Sequence, residues 1–100
     1  MKMTITKAVN GSELNIALEG RLDTTTAPML EEELNASTDG VSVLVFDFAK
    51  LEYISSAGLR ILLAMQKKMN KQGKMIIRNV CEDIMEVFEI TGFGDILTIE

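Results

Sequence analysis

The segment from Ser55 to Gly58 is the part of the sequence best suited to chemistry. Two hydroxyl side chains, Ser55 and Ser56, are followed by Ala57 and Gly58, so four small residues stand in a row. Small residues allow another molecule to approach the backbone closely. If a helix begins here, its free N–H groups and positive dipole end favour a negatively charged group. A phosphate on one of these serines would therefore be stabilised, and would add about −1.5 to −2 charges to the surface.

Serine is also a standard helix N-cap, because its side-chain oxygen accepts a hydrogen bond from an N–H group of the first turn. The local pattern therefore leaves two interpretations open for Ser55 and Ser56, a phosphoacceptor or a cap. Two aspartates suit structural roles of a similar kind. Asp23 precedes a predicted helix and is expected to order the turn at residues 24–26, while Asp47 is expected to shape a loop. Neither aspartate predicts catalysis.

The residue types that are missing narrow the chemistry further. The sequence contains no His, which excludes a Ser-His-Asp triad, a Cys-His dyad and a histidine metal site. Cys81 is the single cysteine, so an internal disulfide cannot form. We expect Cys81 to be a small buried hydrophobe rather than a reactive thiol. The sequence therefore predicts no enzymatic activity, no metal site and no cofactor.

Charge and hydropathy also restrict the classes of function that the sequence allows. The net charge is −5 with 10 Lys and Arg residues, so the chain lacks the basic face that nucleic-acid binders and proteins on anionic membranes need. The longest apolar runs, residues 43–46 and 61–65, are too short to span a membrane. Residues 1–4 lack the apolar core of a signal peptide. These features predict one cytoplasmic domain over residues 1–100 that binds neither nucleic acid nor membrane.

An opening hairpin is the first structural element that the pattern predicts. Apolar and polar residues alternate in residues 3–6 and 14–19, and the turn-forming pair Asn-Gly lies between them at residues 10–11. A first helix follows, because residues 24–26 offer caps and Pro28 suits a first helical turn. Its apolar stripe consists of Ala27, Leu30 and Leu34.

The rest of the chain alternates strands and helices. Residues 41–46 are nearly all apolar, as in a central strand that is buried on both faces. Residues 47–54 are predicted to form the loop from this strand to the second helix. Residues 75–77 form another buried strand, a third helix stops at Gly92, and residues 96–99 form a short strand or an extended tail. The apolar stripes of the second and third helices consist of Leu59, Leu62, Met65 and Met69, and of Ile84, Val87 and Phe88.

The predicted order of elements is therefore β-β-α-β-α-β-α, with a possible final strand. Strand-helix-strand units imply parallel pairing, whereas the opening hairpin is antiparallel. The sequence thus predicts an α/β fold in which a mixed β-sheet carries its helices mainly on one face.

The serine segment also resembles the motif of a known family. Anti-sigma factor antagonists of the STAS family carry Asp-Ser-Ser/Thr-Gly-Leu at the start of their second helix. Alignment on the Gly-Leu pair, here Gly58 and Leu59, places the family's phosphorylated serine on Ser56. Ser55 then takes the position of the family's Asp and Ala57 that of its second hydroxyl, so the chain departs from the pattern at both positions.

Other segments resemble the same family in the right order along the chain. Residues 20–23, Gly-Arg-Leu-Asp, resemble the Gly-x-Leu-Asp segment that precedes the family's first helix. Residues 45–54 resemble its central strand and following loop, and residues 88–93 resemble the end of its last helix. The resemblance extends over nearly the whole chain and implies a single STAS domain over residues 1–100.

The function that this resemblance implies is partner switching. In that mechanism the unphosphorylated antagonist binds an anti-sigma factor that is also a serine kinase. Phosphorylation of the antagonist weakens the complex, and a serine phosphatase reverses the modification. An alternative that the family also offers is an unphosphorylated STAS scaffold or adaptor subunit in a transport or lipid-trafficking assembly.

The resemblance also implies site residues. Ser56 is the expected phosphoacceptor, with Ser55 as the alternative acceptor. The family's Asp lies close to the acceptor, so Asp23 either orients the Ser56 hydroxyl or holds the loop. The surface expected to bind the partner is formed by Asp23, Ser55, Ala57, Gly58 and Leu59.

Overall fold

The computed structural model describes residues 3–100. Its chain begins with an antiparallel hairpin of β1 (Met3–Asn10) and β2 (Glu13–Leu22). Gly11 lies in the connecting turn with a φ of 63°, a backbone conformation that glycine adopts without steric cost. The predicted hairpin is therefore confirmed, and both of its strands are longer than the alternating segments alone indicated.

The first helix, α1 (Ala27–Ser37), has Pro28 in its first turn and buries its predicted apolar stripe. The elements that follow it are β3 (Val43–Ile54), α2 (Ser56–Gln72), β4 (Lys74–Arg78), α3 (Glu82–Thr91) and a short 3-10 helix (Phe93–Asp95). Of the segment at residues 96–99, only Ile99 pairs with the sheet, through a single parallel bridge to Ile77. The predicted order of strands and helices is confirmed.

The prediction of a loop at residues 47–54 is wrong, because β3 continues through them to Ile54. These residues pair with β2 in parallel, and the pairing shifts register between Ala17 and Glu19 and again between Gly20 and Arg21. Such irregularities interrupt the alternation of inward and outward side chains. The exposed residues of this segment therefore resemble a loop in sequence although their backbone is paired.

The sheet has the strand order β1-β2-β3-β4, with β1 antiparallel to β2 and the other neighbours parallel. Alternate strand residues, such as Leu14, Ile16 and Phe46, form one core cluster with buried residues of all three helices. The helices therefore pack on one face of a mixed sheet, as predicted. Within residues 3–100, no helix combines the length and apolar character that crossing a membrane requires.

Candidate functional site

The site forms where the ends of two parallel strands meet the start of α2. β3 ends at Ile54, α2 begins at Ser56, and Ser55 joins them. The Ser55 N–H donates a hydrogen bond of 2.8 Å to the carbonyl oxygen of Leu22, the last residue of β2. Ser55 is thus tied to the end of β2 and lies outside the helix, whereas Ser56 lies in its first turn.

Ser55 is the N-cap of α2. Its backbone is extended, with φ −97° and ψ 174°, and its Oγ accepts a hydrogen bond of 3.4 Å from the Gly58 N–H. Ser56 is the first residue of the helix and is exposed, and its hydroxyl makes no hydrogen bond to any of residues 3–100. Of the two serines, Ser55 therefore caps the helix, while Ser56 presents a hydroxyl that is free among the described residues.

Gly58 and Leu59 lie beneath the exposed serine. Leu59 is only 6% exposed and belongs to the core cluster. A Cβ atom at Gly58 would lie 2.7 Å from Leu22 Cγ and 2.9 Å from Ile54 Cγ1, which is closer than carbon atoms pack. Glycine is therefore required at this position so that α2 can pack against the ends of β2 and β3. Both residues support the site from below and do not form its accessible surface.

Asp23 orders the turn between β2 and α1, which is the structural role predicted for it. Its carboxylate accepts hydrogen bonds from the Thr25 hydroxyl at 2.7 Å, the Thr25 N–H at 3.0 Å and the Thr26 N–H at 3.1 Å. These bonds, the Thr25 hydroxyl above all, lower the pKa of Asp23 because they favour its charged form. The structure gives Asp23 no hydrogen bond to Ser56.

Arg21 lies next to this turn and connects it to β3. Its Nε is 3.8 Å from Asp23 Oδ2, and its guanidinium carbon lies 4.1 Å from the centre of the Tyr53 ring. A cation over an aromatic face is attracted by the ring quadrupole. Asp23, Arg21 and Tyr53 thus form one cluster at the ends of β2 and β3, beside the site.

A shallow cavity of about 330 Å³ opens beside Ser56, between α1 and α2. Ala57 is the one residue of the predicted partner surface that lines it. Sequence reasoning missed the other lining residues, among which Thr24, Glu31 and Arg60 carry polar groups. For Arg60 the sequence did contain a signal, because a residue four positions after Ser56 lies on the same side of a helix.

Two further predictions concern residues away from the serines. Cys81 was expected to be buried, and this is wrong: it is exposed, because it is the extended N-cap residue of α3 and not part of a buried helix face. Asp47 does shape the local backbone, although within β3 and not in a loop. Its Oδ1 accepts bonds from the Ala49 N–H at 2.9 Å and from Asn79 Nδ2 at 3.1 Å, and these lower its pKa.

Known sequences resemble this chain over nearly its whole length. The sequence profile of the STAS domain family matches residues 4–100. BtrV of Bordetella bronchiseptica, whose name describes it as a candidate anti-sigma factor antagonist, is 39% identical over 101 residues. The aligned region covers 99% of this chain and 85% of BtrV.

Solved structures share the fold. An anti-sigma factor antagonist from Mycobacterium paratuberculosis superposes with a TM-score of 0.88 at 24% identity, over 98% of this chain and 85% of its own. The Bacillus protein SpoIIAA in its phosphorylated form gives a TM-score of 0.74 at 19% identity, over 99% of this chain and 91% of its own. The profile match and the relationship to BtrV, together with this common fold, establish that the chain belongs to the STAS domain family.

Proposed function

We propose that this protein is an anti-sigma factor antagonist that is switched by phosphorylation of Ser56. The observation that carries the proposal is that the hydroxyl groups of the two serines differ in their hydrogen bonding. Ser55 uses its hydroxyl to cap α2, while Ser56 presents an exposed hydroxyl without a hydrogen-bond partner among residues 3–100. The name of BtrV and the solved phosphorylated form of SpoIIAA, within the same fold, support this assignment.

The proposed partner is an anti-sigma factor with serine kinase activity, and a serine phosphatase completes the cycle. In the kinase step Ser56 Oγ loses its proton and bonds to the γ-phosphorus of ATP, and ADP leaves. The phosphatase hydrolyses the ester and restores the hydroxyl. The chain itself carries out no catalysis in this scheme: it acts by binding, in the cytoplasm where sigma factors work.

The switch is electrostatic. The kinase must reach Ser56, so its docking surface surrounds this residue, and the unmodified complex forms around a neutral hydroxyl. A phosphate adds about −1.5 to −2 charges there, on a chain whose net charge is already −5. Loss of charge complementarity at a contact of this kind costs roughly 2–4 kcal/mol. Binding would then weaken about 30- to 800-fold.

The first test is phosphopeptide mass spectrometry on the protein isolated from its own host under several growth conditions. We expect one phosphate on Ser56 whose occupancy changes with the condition. A phosphate on Ser55 would transfer the switch to the neighbouring residue. A single unmodified mass under all conditions would contradict the switch and favour the unphosphorylated scaffold or adaptor subunit.

The second test measures affinity for the anti-sigma factor by calorimetry. Ser56→Asp should weaken binding at least about tenfold, since it supplies part of the phosphate's charge. The matched control is Ser56→Asn, which has nearly the same shape without the charge, and Ser56→Ala should bind constitutively. An acidic residue in the first turn of α2 does not destabilise the helix, so weakened binding could not be attributed to unfolding. Equal affinities for the Asp and Asn variants would contradict the proposal.

A further inference from the structure

We propose that Arg60 is the intramolecular partner of the phosphate on Ser56, so that the phosphorylated state is held by a residue of the chain itself. This inference rests on the proposed function, because it concerns the state that phosphorylation of Ser56 creates. It adds a residue outside the Asp-Ser-Ser/Thr-Gly-Leu motif to the switch.

The first argument is position. Ser56 and Arg60 are four residues apart in α2, so their side chains are neighbours on one side of the helix. Side chains in a helix lean towards its N-terminus, and the long side chain of Arg60 therefore extends towards Ser56. An acidic group one turn before a basic one is also the favourable order for such a pair.

The second argument is availability. Arg21 forms an ion pair with Asp23, and Arg78 forms one with Glu100. Arg60 is exposed, and within residues 3–100 it makes no ion pair. Glu31 lines the same cavity but remains beyond ion-pair distance. The guanidinium is therefore free to bind a new anion without breaking an existing contact.

The third argument is chemical fit. A guanidinium presents a fork of N–H donors that matches two oxygens of a phosphate, which a lysine ammonium does not. The phosphate of phosphoserine releases its second proton with a pKa of about 6. A cation one helical turn away favours the doubly charged form of the phosphate and lowers that pKa. Arg60 would thus further increase the share of the doubly charged form near neutral pH, where that form already predominates.

The test uses full-length protein that carries phosphoserine at position 56, incorporated during translation so that no kinase is needed. Phosphorus NMR then gives the second pKa of the phosphate in the parent and in the Arg60→Gln variant at low salt. We expect the pKa to be higher in the variant by about 0.3 units, a roughly twofold change in proton affinity, as for an exposed helical ion pair. The difference should shrink in high salt.

The matched control is Lys71→Gln, which removes the same charge from the last turn of the same helix. It should leave the phosphate pKa unchanged, and Arg60→Lys should retain part of the effect. Equal pKa values in the parent and Arg60→Gln proteins, or an equal rise in Lys71→Gln, would overturn the role of Arg60. Absence of Ser56 phosphorylation in the host would instead defeat the proposed function and leave this titration unaffected, so the two failures are distinguishable.

Discussion

The start of α2 divides into two layers that differ in what their residues can do. The outer layer, Ser56 and Arg60, is exposed and makes no hydrogen bond or ion pair through its side chains within residues 3–100. The support layer consists of Ser55, Gly58 and Leu59, which are engaged in internal contacts. Ser55 caps α2, Gly58 allows the helix to approach the strands closely, and Leu59 lies in the core. Ser56 therefore stands among support-layer residues in the sequence although it belongs to the outer layer.

The comparison shows that neighbouring residues of one segment can differ completely in how far their side chains are engaged within the chain. The support layer positions the start of α2, and the outer layer presents the groups that we propose to carry the phosphate switch. Substitutions in the support layer should therefore change the free energy of unfolding. Substitutions in the outer layer should change binding or the charge of the modified state, as described above for Ser56 and Arg60, and should barely alter folding.

The largest effect on stability is expected from Gly58→Ala. The added Cβ would lie 2.7 Å from Leu22 Cγ and 2.9 Å from Ile54 Cγ1, and both of these side chains are buried in the core, so that one of them would have to shift. Overpacking of this kind costs about 1–3 kcal/mol, against which alanine regains up to about 1 kcal/mol of helix propensity. We expect a net loss of about 1–2 kcal/mol, measured by urea denaturation.

Gly94→Ala is the matched control for this substitution. A Cβ at Gly94 would meet nothing closer than the Phe88 carbonyl oxygen at 3.9 Å, an ordinary contact. Its stability should remain within about 0.5 kcal/mol of the parent. A Gly58→Ala protein that is as stable as the parent would show that the gain in helix propensity offsets the packing cost. Glycine would then not be required at this position for stability.

The sequence predicted the core position of Leu59, although the family resemblance also placed Ser55, Gly58 and Leu59 on the partner-binding surface. Leu59 was expected in the core because the apolar stripe of the second helix includes it, and periodicity reports burial directly. The local pattern left the choice between Ser55 and Ser56 open, since either serine can cap a helix, and only the family resemblance favoured Ser56 as the phosphoacceptor. In the structure the Ser55 N–H binds the carbonyl oxygen of Leu22, which lies far from Ser55 in the sequence. No local pattern contains that contact.

The second half of β3 shows a different reason why part of the structure could not be predicted from the sequence. Its exposed residues, Ala49, Lys50, Glu52 and Tyr53, do not alternate with buried ones. The register shifts against β2 cause this irregularity, and a shift in pairing is invisible in a single strand's sequence. The same strand supplies Tyr53 to the cluster beside the site, so the Arg21 contact was also beyond prediction. Fold class depends on elements that periodicity reveals, whereas the surroundings of the site depend on register.

Alanine substitutions of the two serines should differ in their effect on the free energy of unfolding, and both effects should be smaller than that of Gly58→Ala. Ser55→Ala removes the cap of α2 and should lower the free energy of unfolding by about 0.5–1 kcal/mol, the low end for caps because the bond to the Gly58 N–H is long. Ser56→Ala removes an exposed hydroxyl and should change it by less than about 0.5 kcal/mol. Thermal unfolding of both variants measures the difference. A reversed order would place the cap on Ser56 and contradict the assignment of the layers.

The smallest expected effect concerns the turn beside the two layers, where Thr25 holds Asp23. The folded-state pKa of Asp23 lies below its ordinary value of 3.8, chiefly because the Thr25 hydroxyl donates to the carboxylate. The unfolded chain therefore binds the proton more readily. The resulting stabilisation is fully present above pH 3.8 and is lost as the pH falls below this value through the folded-state pKa.

Thr25→Val should raise the pKa of Asp23 towards its ordinary value and reduce the dependence of stability on pH in this acidic range. Carbon-detected NMR titration of the Asp23 carboxyl measures the pKa directly. Thr24→Val is the matched control, because Thr24 is exposed and its hydroxyl makes no bond to Asp23. If both valine variants left the pKa where it is in the parent, the backbone N–H groups and the Thr26 hydroxyl would be sufficient to hold the carboxylate. The turn would then be independent of the Thr25 side chain.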